Sequence, residues 1–180
     1  MDLLKLHFPR KGDGEISHTY MDGGTIFVPP DEHNSFNEMY IEEIKSGKTP
    51  TIVERCNQEE FRFFVDFDIK LQDDLNLTTV QQLSKQAREI LDAGNCIVLV
   101  GNPKQAGDLK KTGIHMVWYD SKVNLDRALE YRKKLVEKLD FPGWDLDKFI
   151  DASVYKSGLR LPWAAKFVNG KYEDPYLPYC

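Results

Sequence analysis

The stretch FRFFVDFDI, residues 61–69, decides how this 180-residue chain can fold. Its second half alternates between apolar residues and carboxylates, which is the period-two pattern of a β-strand. Successive side chains of a strand point to opposite faces, so Asp66 and Asp68 share one face and the apolar residues beside them share the other. The sequence therefore predicts a central strand that presents two carboxylates side by side at a sheet surface.

Around this strand the sequence predicts helices and further strands that alternate along the chain. Capping residues and helical periodicity predict helices over about 36–46, capped by Ser35 with Glu38, over about 80–91, capped by Thr78 or Thr79, and over about 125–139, capped by Asn124. Apolar runs predict strands over 25–28, 51–53, 96–100 and 114–119, and a hairpin over 154–161 that turns at Ser157 and Gly158. We expect an α/β (α+β) fold with a mixed, partly antiparallel sheet, as one domain or as two lobes that share one sheet.

The composition is typical of a soluble globular protein whose charges are unevenly distributed. No apolar run approaches the roughly 20 residues that cross a bilayer, and the N-terminus lacks the features of a signal peptide, so we expect an intracellular protein without a membrane partner. The net charge is −5, but residues 1–100 carry 10 basic and 18 acidic side chains, whereas residues 101–180 carry 14 and 11. A local basic surface is therefore compatible with the acidic sum. Cys56, Cys96 and Cys180 are too few and too scattered for a disulfide framework or a zinc site, so we expect reduced structural thiols.

Two further stretches carry side chains that could act together with the Asp66–Asp68 pair. If residues 111–115 are extended, Lys111, Gly113 and His115 share one face and offer a point charge, close backbone approach and an imidazole donor to an anion. Charged residues of the predicted hairpin form the second set. There a two-residue turn would pair Tyr155 with Arg160 and place Asp151, Arg160 and, at even spacing, Lys166 on one face.

Each set has an alternative interpretation that needs no function. The Asp66–Asp68 pair is equally typical of a solvated sheet edge, His115 of a half-buried structural histidine, and Arg160 of a cross-strand salt bridge. In combination, the acidic residues Asp66, Asp68 and Asp151 suit a two-metal site for Mg²⁺ or Mn²⁺, because these cations prefer oxygen ligands. The basic and donor groups suit the binding of a triphosphate.

The order of these motifs resembles the archaeo-eukaryotic primase superfamily, in its primase–polymerase branch. A hydrophobic strand with Asp66-x-Asp68, then Gly113-x-His115 at a strand start, then Asp151 with Arg160 and Lys166, covers roughly residues 55–170. The pattern is similar to the primase domains fused to helicases in large DNA viruses such as poxviruses. The resemblance implies an α/β catalytic core with a sheet like that of an RNA-recognition motif, beside an N-terminal lobe.

The resemblance also implies a role for each of these residues. Asp66, Asp68 and Asp151 would be the catalytic, metal-binding carboxylates, and the nucleotide would be held by a second set, Lys111, Gly113, His115, Arg160 and Lys166. The family most often has Ser where this chain has Gly113, so a hydroxyl contact to phosphate is lost and the backbone N–H is the donor that remains. The implied partners are nucleoside triphosphates, a single-stranded DNA template and a fused helicase domain beyond residue 180.

The expected organisation is therefore a single primase–polymerase catalytic domain over residues 1–180. Residues 1–50 would form N-terminal lobe elements, residues 51–170 the catalytic core and residues 171–180 a tail. Two other functions fit the same residues less completely. A Mn²⁺-dependent glycosyltransferase also uses an Asp-x-Asp pair but would not need His115, Asp151 and Arg160 together, and a non-catalytic relative that binds nucleotide or nucleic acid would tolerate the loss of all three carboxylates.

Overall fold

A computed structural model describes residues 3–10, 15–56 and 59–179 of the chain. Six α-helices are described, α1 (Leu3–His7), α2 (His33–Lys45), α3 (Leu77–Leu91), α4 (Leu125–Lys138), α5 (Leu146–Phe149) and α6 (Val154–Ser157), and a 3₁₀ turn over Pro30–Glu32 precedes α2. The first strands are β1 (His18–Tyr20), β2 (Thr25–Ile26), β3 (Ile52–Glu54), β4 (Phe61–Leu71), β5 (Ile97–Val100) and β6 (Lys104–Ala106). The later ones are β7 (Leu109–Val123), β8 (Leu159–Arg160), β9 (Lys166–Val168), β10 (Lys171–Glu173) and β11 (Leu177–Pro178).

The chain divides into two compact units, and neither of them is continuous in sequence. Unit 1 consists of Met1–Gln58 and Lys156–Pro175, and unit 2 of Glu59–Tyr155 and Tyr176–Cys180. The strands of the five-stranded sheet all belong to unit 2, and those of the two smaller sheets to unit 1. The α/β class is confirmed. The sequence predicted a mixed sheet that is only partly antiparallel. In the described residues, every strand pair is antiparallel.

Unit 1 is built on a four-stranded sheet in the order β2-β1-β3-β8. Its core includes Leu4, Phe8, Tyr20, Ile26, Val28, Phe36, Tyr40, Ile52 and Ala164, all buried. A separate pair, β9 and β10, is joined by Asn169 and Gly170, which both have positive φ. Such dihedral angles are those of the two-residue hairpin turn that matches the twist of the flanking strands.

His18 is a buried histidine in the core of unit 1. It is only 2% exposed, its Nδ1 lies 2.9 Å from the hydroxyl of Ser17, and its ring packs 4.6 Å from that of Phe36. Burial, together with the charge of His33, lowers the pKa of His18 from 6.5 to about 3. The folded protein therefore keeps this imidazole neutral under conditions in which the unfolded chain protonates it.

This shift predicts an acid-sensitive stability. Because the unfolded state binds the proton below pH 6.5 and the folded state only near pH 3, the free energy of unfolding should fall as the pH falls through that range. The slope is roughly 1.4 kcal/mol per pH unit, or about 2 kcal/mol between pH 7 and pH 5. Denaturant titrations at the two pH values measure it. In His18→Asn, which cannot titrate, that difference should shrink, and an unchanged difference would contradict the assignment.

Unit 2 is built on the five-stranded sheet, with strand order β11-β5-β7-β4 and β6 paired to β7. One face of the sheet is apolar and packs against helix α4, since the ring of Phe63 lies 5.0 Å from those of both Trp118 and Tyr131. The buried residues of α3, Val80, Leu83, Ala87 and Leu91, recur at helical spacing. The opposite face of β4 carries Asp66 and Asp68, so the sheet separates an apolar core from a polar surface.

Several predicted elements differ from the observed ones at their ends. Helix α2 begins at His33 rather than after Ser35, because the 3₁₀ turn runs directly into it, and no side chain caps it. Helix α3 is capped by the side chain of Asn76 rather than by a threonine, whereas Asn124 caps α4 as predicted. Strand β7 is much longer than predicted, because its polar first residues pair with β4 and β6.

The predicted hairpin over residues 154–161 was wrong. Residues Val154–Ser157 form helix α6, and the strand after it, β8, pairs with β3 instead of folding back. Gly158 has a φ of +99° and ends the helix, so the Ser-Gly pair that is typical of a hairpin turn here follows a helix. Within residues 171–180, the stretch predicted as a tail, the structure contains the short strands β10 and β11.

Neither a membrane-crossing helix nor a disulfide is found in the described parts of the chain. None of the helices described has the length and apolar character that a bilayer span requires. Cys56 and Cys96 are free thiols, and burial raises the pKa of Cys56 to about 12 and that of Cys96 above its ordinary value. Such thiols are poor nucleophiles, which agrees with the expected structural role. Cys180 lies outside the described residues.

Candidate active site

The paired strands β4 and β7 form the centre of the candidate site. In their antiparallel register Asp66 lies opposite His115, and Asp68 lies opposite Gly113. Residues directly opposite each other in such a pair point to the same face, so the two carboxylates and the Gly113–His115 motif share one surface. Two predictions about placement are thereby confirmed, the shared face of the carboxylates and the extended conformation of residues 111–115.

Each carboxylate of the pair has a basic partner on β7. The ammonium of Lys111 lies 2.6 Å from Oδ2 of Asp68, and Nε2 of His115 lies 3.5 Å from Oδ1 of Asp66. The side chains of Lys111 and Asp68 are 36% and 29% exposed, against 14% for Asp66 and 3% for His115. The Lys111–Asp68 pair is therefore the part of the site that solvent and a dissolved ligand reach most easily.

Asp151 lies beside the same carboxylates through its backbone. Its N–H donates to the carbonyl oxygen of Asp66 over 2.9 Å, and Ile150 forms an isolated antiparallel bridge with Phe67. The carboxylate itself accepts hydrogen bonds from the backbone N–H and the hydroxyl of Ser153, at 2.8 and 2.9 Å. The structure thus brings residue 151 to the edge of β4, with its side chain engaged by the turn that follows.

Two side chains hold the Asp151 segment against the sheet. The hydroxyl of Tyr155 donates to the carbonyl oxygen of Phe64 over 3.0 Å, and Arg132 of α4 donates to the carbonyl oxygens of Ile150 and Asp147 at 2.9 and 2.6 Å. Arg132 was missed in the sequence, since an arginine on a polar helix face gives no signal of a buried backbone contact. These bonds make Asp151 a fixed neighbour of β4.

Arg160 and Lys166 belong to unit 1, whereas the strands β4 and β7 belong to unit 2. Arg160 lies in β8 opposite Val53, and one of its terminal nitrogens lies 3.5 Å from the carbonyl oxygen of Ala164. Lys166 lies in β9 opposite Glu173. The predicted cross-strand pairing of Arg160 with Tyr155 was wrong, because Tyr155 is helical and β8 pairs with β3.

The second residue missed by the sequence analysis is Tyr176. Its ring stacks on that of His115, with 3.9 Å between ring centres and 14° between the planes. Strand β11 carries it there by pairing with β5, Leu177 opposite Val100. An aromatic residue in a proline-rich C-terminal stretch gave no signal for this contact.

The donor chemistry of the site fits a hard divalent cation only in part. The carboxylates of Asp66, Asp68 and Asp151 are the oxygen donors that Mg²⁺ and Mn²⁺ prefer, and two adjacent carboxylates on one strand face repel each other unless a cation or a base neutralises them. Within residues 3–10, 15–56 and 59–179, however, no three acidic, His or Cys side chains are grouped as a metal site. Asp66 and Asp68 are therefore the two carboxylates that the register of β4 and β7 itself aligns.

One comparison with known proteins gives a match that covers nearly the whole chain. The family model described as the C962R protein N-terminal AEP domain, where AEP stands for archaeo-eukaryotic primase, matches residues 17–180. The matched stretch contains every acidic and basic residue of the candidate site. No curated protein matches the chain.

Proposed function

Because the chain belongs to the family of C962R-type N-terminal archaeo-eukaryotic primase domains, we propose that it is the catalytic domain of a primase or primase–polymerase. It would join nucleoside triphosphates on a single-stranded DNA template and release pyrophosphate. The observation that carries the proposal is the register of β4 and β7, which sets Asp66 and Asp68 against Lys111, Gly113 and His115 on one face.

In the proposed mechanism, Asp66, Asp68 and Asp151 would hold Mg²⁺ or Mn²⁺. When bound, such cations lower the charge of the triphosphate and stabilise the attacking and leaving oxygens of an in-line displacement. Asp68 would be one of the groups that hold the cation, and Lys111, whose ammonium lies 2.6 Å from Asp68 in the structure, would be the basic group beside it. Lys111 is partly exposed and would make the first phosphate contact.

His115 would support the nucleotide site mainly from inside the sheet. Its imidazole is buried, faces Asp66 through Nε2 and is covered by Tyr176. A buried imidazole beside a carboxylate can orient that carboxylate, which helps to keep Asp66 in place for a ligand.

We also propose that Arg160 and Lys166 bind the triphosphate or the nearby strand, and that a helicase domain accompanies this domain in the full protein. The excess of basic side chains over residues 101–180 supports template binding there. Such binding rests on phosphate contacts and should weaken steeply with added salt.

A synthesis assay tests the proposed function directly. The protein is incubated with a single-stranded DNA template, labelled nucleoside triphosphates and Mg²⁺ or Mn²⁺, and no primer, and products are resolved by length. We expect labelled oligonucleotides that require the cation and disappear with a chelator, because the aligned carboxylates need it to bind the triphosphate. A parallel reaction with a supplied primer detects extension without initiation. Absence of product in both reactions would contradict the proposal.

The second candidate is a non-catalytic relative that binds nucleotides, and the Lys111–Asp68 ion pair favours it. The ammonium of Lys111 lies 2.6 Å from the carboxylate of Asp68 and already neutralises its charge, so no metal ion is needed for that purpose. Such a protein would bind a triphosphate equally well with and without chelator. The family match lends no support to the glycosyltransferase alternative.

A further inference from the structure

Tyr176 lies over the row of polar positions on β7, although it follows His115 by 61 positions in the sequence. The chain returns through β11, where Pro178 lies opposite Leu99, and the N–H of Tyr179 donates to the carbonyl oxygen of Val98 over 2.8 Å. The pairing of β11 with β5 and the bond of Tyr179 after it place Tyr176, the residue before β11, against the sheet. The ring then stacks flat on His115.

The hydroxyl of Tyr176 occupies the place where a side chain of residue 113 would begin. A Cβ built on Gly113 would lie 1.7 Å from the phenolic oxygen, so no other residue fits at this position while the tyrosine is there. Gly101, which directly follows β5, leaves similar room, since an added Cβ there would lie 3.3 Å from the ring of Tyr176. The tyrosine side chain therefore packs directly against the backbone of both glycines.

The position of this hydroxyl relates it to the carboxylate pair. Gly113 lies directly opposite Asp68 in the register, between Lys111 and His115 along β7. Alternate residues of a strand share a face. Without the tyrosine, this face of β7 would therefore present the ammonium of Lys111 and the imidazole of His115, with an empty space at Gly113 between them. With Tyr176 in place, the gap holds a hydroxyl that can donate a hydrogen bond.

We propose that Tyr176 is a nucleotide-binding residue, whose hydroxyl donates a hydrogen bond to a phosphate oxygen of the bound nucleoside triphosphate beside Lys111. This inference rests on the proposed function, since it assumes that a triphosphate binds this face. The tyrosine as a whole is only partly buried, and its hydroxyl lies against Gly113, the residue directly opposite Asp68 and two positions after Lys111. Gly113 is required because it makes room for that hydroxyl.

Calorimetric titration of the whole chain with Mg²⁺ and a nucleoside triphosphate tests the proposal. Tyr176→Phe keeps the stacked ring and removes only the hydroxyl, and we expect about a tenfold or greater rise in Kd, because a hydrogen bond to a charged group is lost. Gly113→Ala displaces the ring and should weaken binding to a similar extent. In a Tyr176→Ala background, where nothing is displaced, Gly113→Ala should cause no further loss. Tyr172→Phe, on an exposed tyrosine of β10, is the matched control and should bind as the wild type does.

The outcomes separate this inference from the function on which it rests. A wild-type protein that binds no triphosphate overturns both. A wild-type protein that binds, together with Tyr176→Phe at unchanged Kd, overturns the role of the hydroxyl and leaves the proposed function standing. Tighter binding by Tyr176→Phe or by Gly113→Ala would mean that the tyrosine only covers the site, and it would overturn the inference as well.

Discussion

The double variant Asp66→Asn, Asp68→Asn is expected to lose template-directed synthesis by at least about 10³-fold while it remains folded. Asparagine has the size of aspartate but carries no charge, so the strand would still pack and would no longer attract a divalent cation. The aligned pair is the part of the site that β4 presents directly, so no other carboxylate on that strand face can replace it. Incorporation of labelled nucleotide measures the loss, and circular dichroism checks the fold.

A matched control shows whether synthesis is lost because the site is removed or merely because an ion pair on the surface is broken. Asp74 pairs with Lys110 over 2.7 Å, much as Asp68 pairs with Lys111, but it lies after β4, beyond the face that carries the site. Asp74→Asn should therefore retain synthesis. Asp68 is partly exposed, so its loss should cost the fold little, in line with the small contribution of solvated ion pairs. Synthesis near the wild-type rate in the double variant would refute the assignment of the two carboxylates.

Gly158→Ala is expected to be the most damaging single methyl addition in unit 1. Gly158 has a φ of +99°, which strains any residue with a side chain, and its added Cβ would lie 2.1 Å from the carbonyl oxygen of Glu54. That oxygen belongs to the backbone of β3, so it cannot move aside without disturbing the pairing of β3 with β8. Strain and displacement together should lower the free energy of unfolding by about 3 kcal/mol or more.

Gly170→Ala provides the comparison, because Gly170 also has a positive φ, +76°, and an added Cβ would meet nothing within 4 Å. Only the backbone strain remains there, about 1 kcal/mol. Chemical denaturation of the two variants, followed by circular dichroism, measures both values. Equal destabilisation would show that the contact with Glu54 carries no cost beyond the dihedral angle.

The centre of the candidate site could be predicted from the sequence because it depends on local alternation. The period-two pattern around Asp66 and Asp68 fixes which side chains share a face, and the same rule places Lys111, Gly113 and His115 together once their segment is extended. Asn124 was correctly predicted as a helix cap because capping is also local: the side chain of the cap binds a backbone N–H within three residues of it.

The parts that depend on distant contacts could not be predicted in this way. Residues 154–157 are apolar enough for a strand, but the hydroxyl of Tyr155 reaches the backbone of Phe64 across 91 positions, and the segment is helical. Tyr176 reaches His115 through the pairing of β11 with β5. Local patterns do not carry the register of such long-range pairs.

The way the chain alternates between its two units has a consequence for synthesis on the ribosome. Translation proceeds from the N-terminus, so when residue 58 has been made, the first sheet still lacks β8, whose residues lie at Leu159–Arg160. The second unit in turn lacks β11 until residues 177–178 have been made. Neither unit can therefore fold completely before the other has been started, and both sheets must complete their hydrogen-bond ladders late, once residues 159–178 have emerged.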